Sequence, residues 1–272
     1  MMLLKCRWTE EQEDQLRIYY PIKPWAELPA IIGKELVAIQ KKASRLGLKR
    51  ESRITHGTYN DTFFNVLTPV SAYVLGLWFA DGYMYSDGSK HRVSLTLKGS
   101  DRYLIDKVAL LWQSKVYYKC YNGFYRATTQ VNSKVMYNSL LELGGSPRKS
   151  LTVKFPKGVD AQLVRHFIRG YFDGDGCISI RKQHRVDGTY SLWGRVSMAG
   201  TKEMLEAIYN NLKYAIKAEG IIEPIRNSHV YELRLYTSCY KELYRYLYED
   251  SDIYLTRKKI RFEEWLVDKD LL

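Results

Sequence analysis

The sequence predicts an α+β protein in which two pseudo-symmetric αββαββα halves follow a small three-helix N-terminal domain. Three observations support this class. An apolar segment ending in Asp-Gly occurs twice, the same order of helices and strands follows each copy, and a separate basic segment precedes the first copy. We therefore expect an N-terminal domain at 1–52, a linker at 53–67, a first half at 68–157 and a second half at 158–272.

The charge of the chain restricts its partners. The 272 residues include 42 Lys and Arg against 30 Asp and Glu, which gives a net charge of +12. This excess favours a polyanionic partner, either nucleic acid or an acidic membrane, although a basic surface can also serve solubility alone. The apolar run before Asp81 is too short, and too soon interrupted by charge, to span a membrane.

The cysteines indicate the compartment. They are scattered, without a Cys-x-x-Cys pair, at Cys6, Cys120, Cys177 and Cys239. This pattern predicts reduced, mostly buried thiols and argues against zinc. The opening segment MMLLKCRW has no apolar core of the length that a secretory signal needs. We therefore expect an intracellular, cytoplasmic protein.

The N-terminal segment predicts three short helices. Thr9 followed by Gln12 is a capping-box pattern, which opens a helix running to about Tyr20. A second helix is expected over 25–32, with Pro29 in its first turn. A third helix begins near Leu36, and its apolar face consists of Leu36, Ile39, Ala43 and Leu46. Its opposite face carries Gln40, Lys41, Ser44 and Arg45.

This third helix is strongly basic, with six basic residues and one acid between Lys34 and Arg50. A solvated charged face is the ordinary explanation for such a helix. The three-helix pattern also resembles a Myb-like or homeodomain-like helix-turn-helix, with Trp8 and Trp25 as core aromatics. That resemblance implies that the third helix enters the DNA major groove. The sequence departs from the Myb pattern because it lacks a third tryptophan and contains Pro29.

Two matching segments form the strongest pattern: residues 74–82 (VLGLWFADG) align with residues 168–176 (IRGYFDGDG). In each, a glycine is followed four residues later by a small residue, which lies on the same helix face. Small faces let two helix backbones approach closely. If these helices pack together, Asp81 and Asp175 emerge side by side at their ends.

Two carboxylates beside carbonyl-rich helix ends form a poor resting arrangement without a cation. The pattern therefore predicts a hard divalent metal with oxygen ligands. An EF-hand loop starting at Asp173 is excluded, because its ligand positions would fall on Cys177 and His184 and its glycine on Ile178.

A strand with alternating faces follows each motif. Arg92–Lys98 directs Val93, Leu95 and Leu97 inward, and residues 194–198 direct Val196 and Met198 inward. A Gly-Ser or Gly-Thr pair, a helix, further strands and a closing helix then recur in both copies. Each copy ends in a basic corner, at 148–150 and at 257–259.

The motif helices, their spacing and the downstream repeat resemble the LAGLIDADG homing endonucleases from about Thr68 onward. The resemblance implies that the motif helices form the interface between the halves, and that two antiparallel sheets form a saddle on the major groove of double-stranded DNA. It also implies that Asp81 and Asp175 bind Mg²⁺, or another divalent cation such as Mn²⁺, and activate water, one site per strand. The backbone carbonyls of Ala80 and Gly174 are implied as further ligands.

The same resemblance assigns supporting roles to basic residues. Lys149 and Lys258 match the positions that assist the reaction. Lys98 matches a further polar position, but its partner in the second half is Ala199, so either Lys98 does not take that role or the two sites differ.

Outward residues of the strands are candidate contacts to bases and phosphates, although each alone is more often an ordinary exposed strand residue. They are Arg92, Ser94, Thr96, Arg126, Thr128, Arg181, Arg195, Ser197, Arg234 and Tyr236. Because the two halves differ at these positions, we expect a monomer that reads a non-palindromic site in genomic, phage or organellar DNA.

Other functions compete with cleavage. Other nuclease classes lack support, because the histidines form no metal-binding cluster and no Asp or Glu is followed two residues later by Lys. Two rivals keep the same fold: a non-cleaving DNA-binding regulator and a maturase for an intron RNA. A pure binder needs neither Asp81 nor Asp175, so their presence favours a metal-dependent endonuclease.

Overall fold

The computed structural model describes residues 8–48 except 22, 24 and 26, and residues 59–271 except 122, 185, 187 and 189. The chain divides into two compact units, residues 1–57 and 58–272. The last two residues of the predicted basic segment, Lys49 and Arg50, and positions 53–58 of the predicted linker lie outside the described residues.

The N-terminal unit contains helices α1 (Glu10–Tyr19), α2 (Leu28–Ile32) and α3 (Leu36–Arg45). The Thr9 side chain and the Gln12 side chain each accept the other's backbone N–H, which confirms the capping box. Helix α2 is shorter than predicted. Pro29 lacks an N–H, and its ring would clash with the carbonyl four residues earlier, so a helix cannot extend back to position 25.

The core of this unit consists of Leu16, Leu28, Ile32, Ile39 and Ala43, all buried. Trp8 packs against this core as predicted. The prediction that Trp25 is a core residue is wrong: it is 38% exposed and meets Tyr20 edge-on at 5.6 Å. Trp25 precedes α2, whose first buried residue is Leu28, so it lies outside the converging helix faces.

The second unit confirms the two αββαββα halves. The first half consists of α4 (Pro69–Asp81), β1 (Gly82–Ser86), β2 (His91–Lys98), α5 (Arg102–Trp112), β3 (Lys115–Tyr121), β4 (Phe124–Asn132) and α6 (Lys134–Glu142). The second half consists of α7 (Val164–Asp175), β5 (Gly176–His184), β6 (Tyr190–Gly200), α8 (Lys202–Ile216), β7 (Gly220–Pro224), β8 (Tyr231–Leu235) and α9 (Tyr240–Tyr248). A further helix, α10 (Thr256–Asp268), follows α9.

Each half contributes one four-stranded antiparallel sheet, in the orders β1-β2-β4-β3 and β5-β6-β8-β7. Val93, Leu95 and Leu97 are buried, as the alternation predicts. The expectation that Ser94 and Ser197 are exposed is wrong, since they are only 7% and 3% accessible. A serine is short enough for longer side chains on the neighbouring strands to cover it, even on an outward face.

The described part of the predicted linker packs on the second unit. Phe64 is 2% exposed in the main core, and the Asn60 side chain donates to the Leu111 carbonyl at 3.1 Å. Ser133 donates to Asp61 at 3.1 Å. Residues 59–67 therefore belong to the packed unit rather than to a free linker, because their aromatic residues bury apolar surface there.

The thiols differ from expectation. Among the described residues, Cys120 and Cys177 are exposed and only Cys239 is buried, so the prediction of mostly buried thiols is wrong. Both exposed cysteines lie on strands, and Cys177 pairs in register with Ser197 on the outward face of its sheet. Cys6 lies outside the described residues. No helix in the described part of the chain is long and apolar enough to cross a membrane.

Candidate active site

The two motif helices, α4 and α7, pack against each other at the centre of the second unit. Every residue of α4 from Ser71 to Phe79 is buried, which explains why this helix is apolar on all sides. A Cβ placed on Gly76 would lie 2.0 Å from the carbonyl oxygen of Phe167 on α7. The predicted small-residue faces therefore bring the two backbones into direct contact.

The contact continues to the ends of both helices, where Asp81 and Asp175 are the last residues. A Cβ on Gly174 would lie 2.2 Å from the Cβ of Ala80 and 3.2 Å from Oδ2 of Asp81. The first motif's carboxylate thus lies against the end of the second motif helix. Two acids that are far apart in the sequence share one small region.

This arrangement disfavours two negative charges. Burial and the charge of Asp81 together raise the pKa of the Asp175 carboxyl to about 6, against the lowering effect of Lys149 and Lys258. Partial loss of hydration also raises the pKa of the Asp81 carboxyl, although Lys258 and Lys149 lower it. The Asp81 side chain nevertheless remains accessible to solvent. A bound cation would relieve both burial and repulsion, so the pair fits a hard metal with oxygen ligands.

A lysine stands at the end of each motif helix. Lys149 donates from Nζ to the carbonyl of Gly82 at 2.7 Å and to that of Ala80 at 3.4 Å. Lys258 donates to the carbonyl of Phe172 at 2.6 Å and to that of Gly174 at 3.2 Å. The contacts to Ala80 and Gly174 occupy matching positions in the two halves, whereas those to Gly82 and Phe172 do not. The lysines are only 6% and 5% exposed.

Burial lowers the pKa of both lysines to about 8, although the carboxylates of the site act in the opposite direction. Each ammonium also lies over an aromatic ring, Trp78 at 5.2 Å and Phe172 at 5.4 Å. The lysines therefore provide two positive charges beside the two carboxylates.

The donor set for a metal is small. Within the described residues, no group of three or more His, Cys, Asp and Glu side chains could hold a metal ion. The available oxygens are the two carboxylates and nearby carbonyls, including those of Ala80 and Gly174. Both carbonyls already accept from a lysine, but a carbonyl oxygen has two lone pairs and can serve two partners.

The second motif contains a buried carboxylate, Asp173, that is not among the predicted site residues. Asp173, 1% exposed, accepts hydrogen bonds from the Tyr73 hydroxyl at 2.8 Å, the Tyr248 hydroxyl at 2.9 Å and the Leu255 N–H at 2.7 Å. Burial raises the pKa of this carboxyl. Asp173 thereby ties α7 to α4, α9 and the segment before α10, whereas the equivalent Phe79 packs in the core.

The remaining predicted residues lie on or beside the sheet strands and on α3. Lys98 is exposed at the end of β2, where it pairs in register with Arg126. Eight predicted strand residues are exposed or half-buried: Arg92, Thr96, Arg126, Thr128, Arg181, Arg195, Arg234 and Tyr236. In the N-terminal unit, the predicted face of α3 is exposed, at Gln40, Lys41, Ser44 and Arg45.

The two sheets differ in their outward charges. On the second sheet, Glu232 pairs with Arg195 and lies 3.3 Å from Arg234, which also meets Glu223 at 3.3 Å. On β2 and β4 of the first sheet, the corresponding rows carry Arg92, Lys98 and Arg126 without an acid. Two arginines of the second sheet are thus held by carboxylates.

Comparison with known proteins agrees with this fold. Residues 162–248 match the model of the LAGLIDADG-like domain. The structure of I-SmaMI, a LAGLIDADG homing endonuclease bound to cleaved DNA, matches with a TM-score of 0.52 and 13% identity, over 74% of this chain and 88% of that chain. The LAGLIDADG meganuclease I-AabMI bound to uncleaved DNA matches with a TM-score of 0.53 and 12% identity, over 75% and 91%. No curated protein sequence matches.

The fold is therefore that of the LAGLIDADG homing endonucleases. Within this chain, residues 162–248 form a LAGLIDADG-like domain, and the first half repeats its order of helices and strands.

Proposed function

We propose that the protein is a site-specific homing endonuclease, a monomer that makes a metal-dependent double-strand break in a long, non-palindromic DNA target. One observation carries the proposal: Asp81 and Asp175 lie at the converging ends of the motif helices, each end also holding a buried lysine. The DNA-bound structures that share the fold support it. A regulator that only binds DNA needs neither of these two carboxylates, and the charge of Asp81 raises the pKa of Asp175.

Different residues of the site would take different roles in the cleavage reaction. When bound, Mg²⁺ or Mn²⁺ would supply Lewis-acid stabilisation and a more acidic water. Asp81 and Asp175 would hold it, with the carbonyls of Ala80 and Gly174 as further donors. Lys149 and Lys258 would place positive charge where phosphodiester cleavage develops negative charge. The outward strand residues would orient the duplex through phosphate and base contacts.

The N-terminal unit would provide a second DNA contact. Helix α3 exposes Gln40, Lys41, Ser44 and Arg45 together, so one face offers both charge and hydrogen-bonding groups. Within this proposal residues 1–52 form a helix-turn-helix domain, and the LAGLIDADG halves span 68–157 and 158–272. Because the helix-turn-helix domain is tethered to these halves, its contact with DNA would raise the DNA affinity of the whole protein.

The decisive experiment is selection of cleavable duplexes from a randomised DNA library, with Mg²⁺ or with EDTA. We expect one family of targets to be cut on both strands with Mg²⁺ and none with EDTA. Tight DNA binding without cleavage in either condition would favour the regulator. Preference for a structured RNA over every duplex would favour the maturase.

A further inference from the structure

We propose that Asp101 and Arg257 are positioning residues: Asp101, in the opposite half of the molecule, holds Lys258 in place through its ion pair with Arg257. The inference rests on the proposed function, because it concerns the lysine of one cleavage site. Asp101 belongs to the first half, in the turn between β2 and α5, whereas Lys258 serves the end of the second motif helix.

The link begins with an ion pair next to the lysine. Nε of Arg257 lies 3.1 Å from both carboxylate oxygens of Asp101. Asp101 is only 4% exposed, while the Arg257 side chain is 49% exposed. A buried carboxylate needs a partner, so the pair constrains the residue that directly precedes Lys258.

A second residue of the first half, Tyr103, also contacts the segment around the start of α10. The Tyr103 hydroxyl donates to the carbonyl of Tyr254 at 3.2 Å and accepts from the N–H of Thr256 at 2.5 Å. Thr256 is the first residue of α10, where N–H groups have no partner within the helix, and α10 has no side-chain cap of its own. The first half thus supplies what α10 lacks, in the turn that carries Lys258.

The other lysine has a similar arrangement with different chemistry. Thr201, at the start of α8 in the second half, donates from Oγ1 to the carbonyl of Val153 at 2.5 Å. The Val153 N–H in turn donates to the carbonyl of Lys149 at 2.8 Å. Each lysine-bearing segment is therefore held by the opposite half, by an ion pair in one case and by a neutral hydroxyl in the other. This difference lets one site be perturbed alone.

A labelling experiment tests the position of the lysine without relying on cleavage. Brief acetylation of the whole protein, followed by peptide mass spectrometry, compares Lys258 with Lys149 as an internal control. In Asp101→Ala, we expect acetylation of Lys258 to rise about tenfold relative to Lys149, as loss of one charged hydrogen bond would give. Asp101→Asn, which keeps the shape, should show a smaller rise, and Arg257→Gln should match Asp101→Ala.

A strand-resolved cleavage assay tests the consequence. One DNA strand is labelled at a time. Asp101→Ala should slow cleavage about tenfold on the strand whose cleavage Lys258→Ala also slows. Cleavage of the other strand, which Lys149→Ala slows, should be unchanged. Adding Asp101→Ala to Lys258→Ala should have little further effect, because both act on one group. Arg102→Ala is the matched control, since Arg102 adjoins Asp101 but pairs with exposed Asp106.

Two results would overturn the inference: equal slowing of both strands, which means a general structural role, or unchanged acetylation of Lys258 in all three variants. A wild-type protein that cuts neither strand would instead overturn the proposed function and any effect of Asp101 on cleavage. The labelling would still decide whether Asp101 holds Lys258.

Discussion

Gly170 of α7 lies so close to Tyr73 of α4 that a Cβ on this glycine would sit 1.9 Å from the Tyr73 carbonyl oxygen. The reciprocal contact of Gly76 with Phe167 is equally close. No side chain fits at either position without moving the helices apart. The separation of the two carboxylates at the helix ends therefore depends on these glycines.

Replacing either glycine by alanine should destabilise the protein. In an ordinary helix interior, Gly→Ala raises stability by about 1 kcal/mol, so the sign of the change is diagnostic. Here the methyl group meets backbone, and we expect Gly76→Ala and Gly170→Ala each to lower the free energy of unfolding by about 3 kcal/mol. Urea denaturation measures this. An unchanged or higher midpoint would mean that the helices are not in backbone contact.

Asp81→Asn and Asp175→Asn should each abolish double-strand cleavage and leave DNA affinity nearly unchanged. Asn keeps the shape but loses the charge that holds a cation. We expect cleavage to fall by at least about 1000-fold, since metal assistance is worth several kcal/mol. Wild-type rates on both strands in either variant would contradict the two-site assignment, whereas nicking of one strand would show that the sites act separately.

Asp81→Asn and Asp175→Asn should differ from the wild type in their response to metal in a thermal unfolding experiment. Without a divalent cation, each Asn variant should melt above the wild type, because burial and the charge of Asp81 raise the pKa of Asp175 and so mark an unfavourable pair. Added Mg²⁺ should raise the melting temperature of the wild type alone, because binding to the folded state stabilises it. An equal rise in all three proteins would place the metal elsewhere.

Lys149→Ala and Lys258→Ala should slow cleavage by about 100-fold with little loss of DNA affinity. Each lysine is buried at a helix end and is one charge among many for binding. Single-turnover kinetics at saturating protein isolate the chemical step. Lys→Met variants, which keep the side-chain bulk, control for packing; unchanged rates in both Ala variants would exclude the proposed role.

Deleting residues 1–57 should weaken DNA binding, shorten the protected footprint on one side and flatten the salt dependence of affinity. The reason is the basic, exposed face of α3 in a separate compact unit. Cleavage at high protein concentration should persist, because Asp81 and Asp175 lie outside the deletion. An unchanged footprint with a lower melting temperature would mean that the module only stabilises the fold.

Selected targets should be non-palindromic, because the two sheets offer different groups to DNA. Glu232 should matter most for discrimination, since it holds Arg195 and Arg234 in place on the second sheet. Glu232→Gln should tighten binding to random DNA and relax base preference in one half of the site only. Recovery of a perfect palindrome, with a dimer in solution, would contradict the monomeric interpretation.

Several elements followed from local sequence because their causes are local. The Thr9 capping box and the alternation of Val93, Leu95 and Leu97 depend on neighbours within a few residues, and both are present in the structure. Trp25 and Ser94 did not follow, because exposure depends on which neighbouring element covers a side chain. The sequence did not show that residues 59–67 pack on the second unit, because the polar residues of this segment are typical of a linker and the contacts of Phe64 are with distant residues.

The sequence by itself determined the duplicated αββαββα order, because the motif and the elements after it recur. The small residues at helical spacing in both motifs also predicted that Asp81 and Asp175 lie side by side if the motif helices pack together. Only the tertiary structure decided what surrounds that pair. Asp173 finds Tyr73 and Tyr248, and Asp101 finds Arg257, across long stretches of chain. Such contacts have no local period, since packing between distant segments, within the second half or across the two halves, creates them.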